Sequence, residues 1–431
     1  MAYPSYDEYK RTRWDEVGTI PSKWEARRLK FAVLLCNEKI EADTTDLEYI
    51  GLENIESWTG KRIEDESSYS EGIATRFKPN DILFGKLRPY LAKVYLAEKA
   101  GMATTEALVL QSERDILPVF LKYLMLSHKF IDNVSGTTYG AKMPRANWDS
   151  IGNFPILLPD RIEQQRITDF LDWKTGQIDR LIAKKKQLIE KLKEKRIALI
   201  TQAVTKGLNP DAPMRDSGIP WLGEVPKHWE VLSIKRLTPV SRGASPRPIE
   251  DQKYFDDEGE YAWVRIADVT SNDHYLRETT QRLSELGKSL SVPLEPGSLF
   301  LSIAGSVGKP MITAIKACIH DGFVYFPQLQ INPEYLFYIF ESGQPYLGLG
   351  KLGTQLNLNT DTVGNIKIGL PENDEQQEIV DFLDLELSHL DVLIAKNNQL
   401  IEKLTEYRTA LITAATTGKI DVRNVKIGGL L

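Results

Sequence analysis

Cysteine and histidine are scarce in this chain, with two of the first and five of the second in 431 residues. Cys36 and Cys318 fall in different halves, which excludes a disulfide framework and a four-cysteine zinc site. The histidines are scattered, so no Ser/His/Asp constellation or metal-ligand grouping can be drawn from them. Single ones such as His128 and His389 read as helix-surface or core residues. No apolar run approaches the ~18 residues that a membrane span needs. The first residues, MAYPSYDEYKRTRWDEV, contain no apolar h-region, so no signal peptide is expected and an intracellular, reduced location is. Also missing are an NPPY- or DPPY-type tetrapeptide for amino-methyl transfer, a glycine-rich adenosylmethionine loop and a Walker motif. The stretch GSVGKP lacks both the Walker spacing and the Ser/Thr after its lysine. A nuclease-like pattern has one formal match, Pro210-Asp211 with Asp251-Gln252-Lys253. Its parts lie about 40 residues apart without a shared structural context, and chance accounts for it. No catalytic site is expected.

Positive charge is also in short supply. The net charge is −6, where a simple nucleic-acid binder would be basic. Residues 1–160 carry about −3, 208–372 about −5 and 373–431 about −4, while 161–207 alone reach about +6. Binding to nucleic acid would need local cationic patches, or a partner that supplies the field.

What the chain does have is a repeat. EQQRITDFLDWKTGQIDRLIAKKKQLIEKLKEKRIALITQAVT, over 163–205, returns as EQQEIVDFLDLELSHLDVLIAKNNQLIEKLTEYRTALITAATT over 375–417. At a constant offset of about 212 residues, roughly 27 of 43 positions match without gaps, a period that means one duplicated unit and no solenoid. Ile178, Leu181, Leu188, Leu192 and Leu199 recur at three-and-four spacing in the first copy, as do Leu390, Leu393, Leu400, Leu404 and Leu411 in the second. That pattern predicts a coiled-coil seam, widened by Ile182, Ile189, Ile394 and Ile401 and interrupted at equivalent points by Lys185 and Asn397. If the stripes bury each other, the second helix runs back toward the first head and the pair is antiparallel. About 40 residues span ~60 Å, longer than one ~35 Å turn of B-DNA.

A less repetitive head precedes each helix. Gly18, Pro21, Trp24 and Glu25 align with Gly223, Pro226, Trp229 and Glu230, a turn followed by an apolar anchor where the chain enters a domain. LEYIGLENI, DILFGKL, AKVYLA and TEALVLQ read as strands before the helical VFLKYLMLSHKFIDNV; YAWVRIADV, GSLFLSIAG, KPMITAIK and DGFVYFPQ precede the helical PEYLFYIFES. Pro159 and Pro371 stop a strand before each long helix.

Two places in each head carry chemistry suited to DNA. The first stretch offers Lys86, Arg88 and Tyr90 in head one and Ser306 and Lys309 in head two, fitting base-edge, stacking and phosphate contacts. The second offers Tyr139, Lys142 and Arg145 in head one, and Lys351, Thr354, Gln355 and Asn357 in head two. Lys and Arg suit guanine or phosphate, whereas Gln and Asn suit adenine. Arg242 and Arg247 join them as candidate contacts. The bland alternatives are solvated hairpin tips and loop drift.

The duplicated heads, the helices beginning EQQ, the W-x-G-x-x-P-x-x-W-E entrance (complete at 221–230), DILFGKLRPYLAKV and GSVGK resemble the DNA-specificity (S) subunit of type I restriction–modification enzymes, over essentially the whole chain. The resemblance implies an α+β fold with two similar target recognition domains of mixed or antiparallel sheet, and two long antiparallel coiled-coil helices related by a pseudo-two-fold repeat. The expected parts are target recognition domain 1 (1–161), spacer helix 1 (162–207), target recognition domain 2 (208–373), spacer helix 2 (374–417) and a tail near domain 1 (418–431). It further implies a non-catalytic subunit in the cytoplasm of a bacterium or archaeon. Each head would read half of a bipartite, asymmetric duplex target, and the helices would set the gap and dock two methyltransferase subunits. Nuclease–translocase subunits would join through the complex, and S-adenosylmethionine, ATP and Mg would belong to those partners. The rival readings are a protein scaffold whose heads bind something other than DNA and, third, a fused nuclease or methylase.

Overall fold

A computed structural model describes residues 3–64, 72–140, 142–347 and 358–428. The chain divides into two compact units, one of Met1–Lys186 with Asn397–Leu431, the other of Gln187–Lys396. Each holds one head and half of each long helix.

In the first head a four-stranded sheet runs in the order Val33–Cys36, Ala107–Ser112, Ile82–Gly85, Val94–Leu96; a second runs Lys39–Glu41, Ile73–Phe77, Gly101–Ala103, Tyr49–Ile50. The second head repeats the plan. Ser241–Arg242, Phe323–Tyr325, Leu299–Ser302 and Pro310–Thr313 match the first sheet, extended by Tyr275–Leu276; Val292–Leu294, Ala317–Ile319 and Tyr261–Val264 match the second, extended by Arg282–Leu283. In both heads the second sheet combines one parallel pairing with antiparallel ones, so the sheets are mixed. The central hairpin strands Ile82–Gly85 and Leu299–Ser302 are buried at every residue, which explains their apolar sequence up to the terminal Gly85 and Ser302. Two runs differ from expectation. VFLKYLMLSHKFIDNV breaks into helices Pro118–Met125 and His128–Ser135, because Ser127 caps the second by accepting from the Phe130 amide. YAWVRIADV turns from strand to helix after Val264, where the Asp268 carboxylate accepts from the Arg265 amide.

The repeated sequence forms helices Arg161–Lys206 and Asn373–Thr416. Asp160 caps the first by accepting from the Glu163 amide. Gly207 and Gly418 end the two helices at φ of +71° and +70°, a conformation that glycine adopts without strain. A β-carbon on Gly418 would stand 2.5 Å from Pro21 and 3.4 Å from Trp24; one on Gly207 would stand 3.3 Å from Trp229. The entrance tryptophans, both fully buried, are therefore floors for the helix ends. Losing a buried aromatic of this size costs about 3–5 kcal/mol.

EQQ recurs because its central glutamine is a buried clamp. Gln164 donates to the carbonyls of Pro159 and Asp115 and accepts from the Leu117 amide; Gln376 donates to the Pro371 carbonyl and accepts from the Asn332 amide. Each ties the last strand of its head to the start of that head's main helix. Tyr123 donates to Asp172 at 2.5 Å, and Tyr338 donates to Asp384 in the same way.

The helix pairing is antiparallel. In the first unit Arg408 meets Asp179 at 2.8 Å; in the second Arg196 meets Asp391 at 3.8 Å, so residue numbers fall along one helix as they rise along the other. Ile178, Leu404 and Leu411 join the core of the first unit, and Leu192, Leu199 and Leu390 that of the second. Leu181, Leu188, Leu393 and Leu400 do not sit at the centre of the stripe as expected, being 38–46% exposed. The inward positions are Ile182, Lys185 and Ile189 on one helix and Ile394, Asn397 and Ile401 on the other. A shift of one residue turns a helix by about 100°, so the leucines flank a seam that the isoleucines fill.

Candidate nucleic-acid interface

The first head brings its candidates together. The turn after Ile82–Gly85 carries Lys86, Arg88 and Tyr90, and residues 142–146 lie against it. The Arg88 amide donates to the Pro144 carbonyl at 2.7 Å, the Ala146 amide donates to the Lys86 carbonyl at 2.9 Å, and Tyr139 and Arg145 exchange backbone hydrogen bonds. Arg88 and Ala92 hold left-handed backbone at φ of +49° and +47°. Strain of this kind costs about 1–3 kcal/mol per residue and gathers where a surface must keep one shape. Arg88, Tyr90, Tyr139 and Lys142 are exposed. Arg145 is different: its guanidinium forms a two-pronged pair with Glu106 at 3.1 and 3.2 Å. That fork holds the loop in place and braces Arg145 against Glu106.

In the second head the equivalent hairpin carries Ser306 and Lys309. The Ser306 hydroxyl shares a 3.1 Å hydrogen bond with Thr270, and the Lys309 ammonium donates to the Asn272 carbonyl at 2.6 Å. Lys93, at the matching position of head one, donates to the carbonyls of Leu52 and Ile55, and burial pulls its pKa down. The two lysines share one job, tying the hairpin to the preceding loop. Lys351, Thr354, Gln355 and Asn357 lie outside the described residues.

Arg242 and Arg247 converge on a residue that sequence reasoning missed. Arg242 Nε donates to the Asp321 main-chain oxygen, Arg247 Nη2 donates to Asp321 Oδ2 at 3.1 Å, and the Ser245 hydroxyl donates to Oδ1 at 3.0 Å. Burial works to raise the Asp321 carboxyl, but Ser245, a backbone amide and Arg247 outweigh it and hold the group below its usual range. Beside it, a cavity of ≈ 630 Å³ is lined by Arg247, Trp263, Arg265 and His320 among others. Burial pushes the His320 pKa down. Asp321 and Glu106 gave no spacing signal. The two EQQ glutamines, Asp179, Asp391, Arg196 and Arg408 did, as residues retained at matching places in the repeat.

The model of the type I restriction modification DNA specificity domain matches residues 21–194 and again 226–406, and the chain belongs to that family. The MjaVIII type I restriction enzyme specificity subunit of Methanocaldococcus jannaschii is 24% identical over 97% of this chain and 98% of its own. A chain from a solved type I R-M system, described for complex assembly and conformational transition, superposes with a TM-score of 0.73 at 20% identity, over 92% of this chain and 98% of that one. The HsdS subunit from Thermoanaerobacter tengcongensis gives 0.52 at 19%, over 93% and 98%. These structures share the α+β fold of paired heads and long helices. Among the described residues, no helix is long and apolar enough to cross a membrane.

Proposed function

We propose that this chain is the sequence-specific DNA-binding subunit of a type I restriction–modification enzyme and performs no catalysis itself. Each head reads one half of a bipartite, asymmetric duplex target. The helix pair sets the unread gap and docks two methyltransferase subunits, through which nuclease–translocase subunits join; S-adenosylmethionine, ATP and Mg belong to those partners. The observation that carries this reading is the duplicated hairpin. The same strand–turn–strand in each head presents a different set of side chains beside a repeated helix, as two readers of different sequences on one frame require. The acidic balance fits a subunit whose partners supply much of the cationic clamp. The half-exposed leucines flanking the seam offer those partners an apolar strip.

The test is reconstitution. The purified chain should transfer no methyl group from S-adenosylmethionine to DNA, and transfer should appear at a split target once the methyltransferase subunit is added. Turnover by the pure chain sinks the non-catalytic reading. A second reading, a scaffold whose heads bind something other than DNA, is favoured by the pairing of Arg145 and Arg247 with carboxylates. It gains if no footprint forms on random-sequence DNA with or without the methyltransferase.

A further inference from the structure

The cavity beside Asp321 is built from donors on a rigid floor. His320 Nδ1 accepts from the Gly322 amide at 2.7 Å, which leaves the proton of the neutral ring on Nε2. A β-carbon on Gly322 would lie 2.3 Å from His320 Cε1, so only glycine lets the imidazole sit there. The ring also packs against Phe323, with centroids 4.5 Å apart, and lies 6.0 Å from the buried Trp263. Arg265 is held by Thr280 and by Asp268, 3.5 Å away, while its buried Nε has no hydrogen-bond partner. Arg247 stands at the rim, its side chain 78% exposed, with Nη2 donating to Asp321 Oδ2 at 3.1 Å. That hydrogen bond anchors one nitrogen of the planar guanidinium and leaves its other N–H groups available to a ligand.

We propose that Asp321 is a positioning residue that aims Arg247 at the major-groove edge of a guanine in the half-target read by the second head. This rests on the DNA-reading function proposed above. The chemistry favours guanine over the other bases. Its N7 and O6 are two adjacent acceptors that match the arginine fork, whereas adenine and cytosine present a donor that would oppose it. Arg265 and the His320 Nε2–H add donors behind the rim, and Asp321 is itself occupied by Ser245 and Arg247, leaving it poorly placed to accept from a cytosine amino group.

The experiment uses the full chain assembled with its methyltransferase subunit, methylating a plasmid library of randomised sequence with S-adenosylmethionine. Wild type should yield a split consensus with a G·C pair in one half. Arg247→Ala should relax that single position by roughly ten- to a hundred-fold in discrimination. Asp321→Ala should relax the same position, with Asp321→Asn, which keeps an acceptor, partly restoring it. The other half-site should stay unchanged in every variant, which certifies folding and assembly. If Asp321→Ala fails to assemble, Arg247→Lys decides the matter: it keeps the charge without the fork and should lose the same preference. An unaltered consensus in the Arg247 variants overturns the proposal. So does a loss of affinity equal for all sequences with the salt slope reduced by about one, the mark of a phosphate contact. A wild-type complex that yields no split consensus instead defeats the DNA-reading function.

Discussion

Gln164 and Gln376 each satisfy three backbone or side-chain partners from a buried position, and neither could be assigned a job from sequence beyond belonging to a repeated EQQ. Hydrogen-bond partners far apart in the chain leave no mark on spacing. The same blindness hid Asp321, whose partners Arg242 and Arg247 lie 79 and 74 residues away. The candidate arginines were legible as residue types suited to DNA; which of them an acid holds was not. His320 gives a pH test at this scale. Burial lowers its folded pKa against the unfolded value of ~6.5; Asp321 opposes the shift and Arg242 assists it. In the window below ~6.5 the unfolded chain binds the extra proton first, so stability falls as the pH drops through that value and levels off beneath the folded pKa. Urea melts at pH 7.5 and 5.5 should show this loss, and His320→Phe should flatten it. The depressed Asp321 carboxyl acts in the same direction but only nearer pH 4.

At the scale of elements, the long helices were the most legible part of the chain, since apolar periodicity is strong over more than forty residues. Their antiparallel order followed from topology alone. The central line of the seam did not, because Leu and Ile stripes one residue apart both satisfy three-and-four spacing, and packing chose the isoleucines. Charge then separates the two ends. The Arg408 side chain is 5% exposed against Asp179 and also donates to the Trp58 carbonyl, whereas the Arg196–Asp391 pair is wide and half open. Removing one partner of a buried pair costs about 3–5 kcal/mol, and an exposed pair contributes at most about 1. Arg408→Ala should therefore destabilise the protein several-fold more than Asp391→Ala in chemical denaturation. Equal losses would contradict this difference in burial.

For the molecule as a whole, the heads as copies of one plan were readable from the order of apolar runs. The parallel pairings were not, because neighbouring strands in those pairs are not neighbours in sequence. The function proposed here predicts that the two kinds of sequence carry separable properties. Replacing residues 29–158 with the equivalent part of another head should change one half of the methylated target and leave the other intact. Inserting seven residues midway along both long helices adds ~10 Å and preserves the apolar phase; it should lengthen the gap by about three base pairs without changing either half. Methylation mapping reads both outcomes, and a head exchange that altered both halves would contradict the separation.

The two interhelical ion pairs bear on how such a chain can change over generations. Asp179 belongs to the first copy and its partner Arg408 to the second; Arg196 belongs to the first copy and Asp391 to the second. Neither copy carries a matched set of its own. A substitution at Asp179 leaves a buried guanidinium in the other copy unpaired, and only a compensating change there restores it. Each helix is thus the template against which its twin is selected, which ties their histories together.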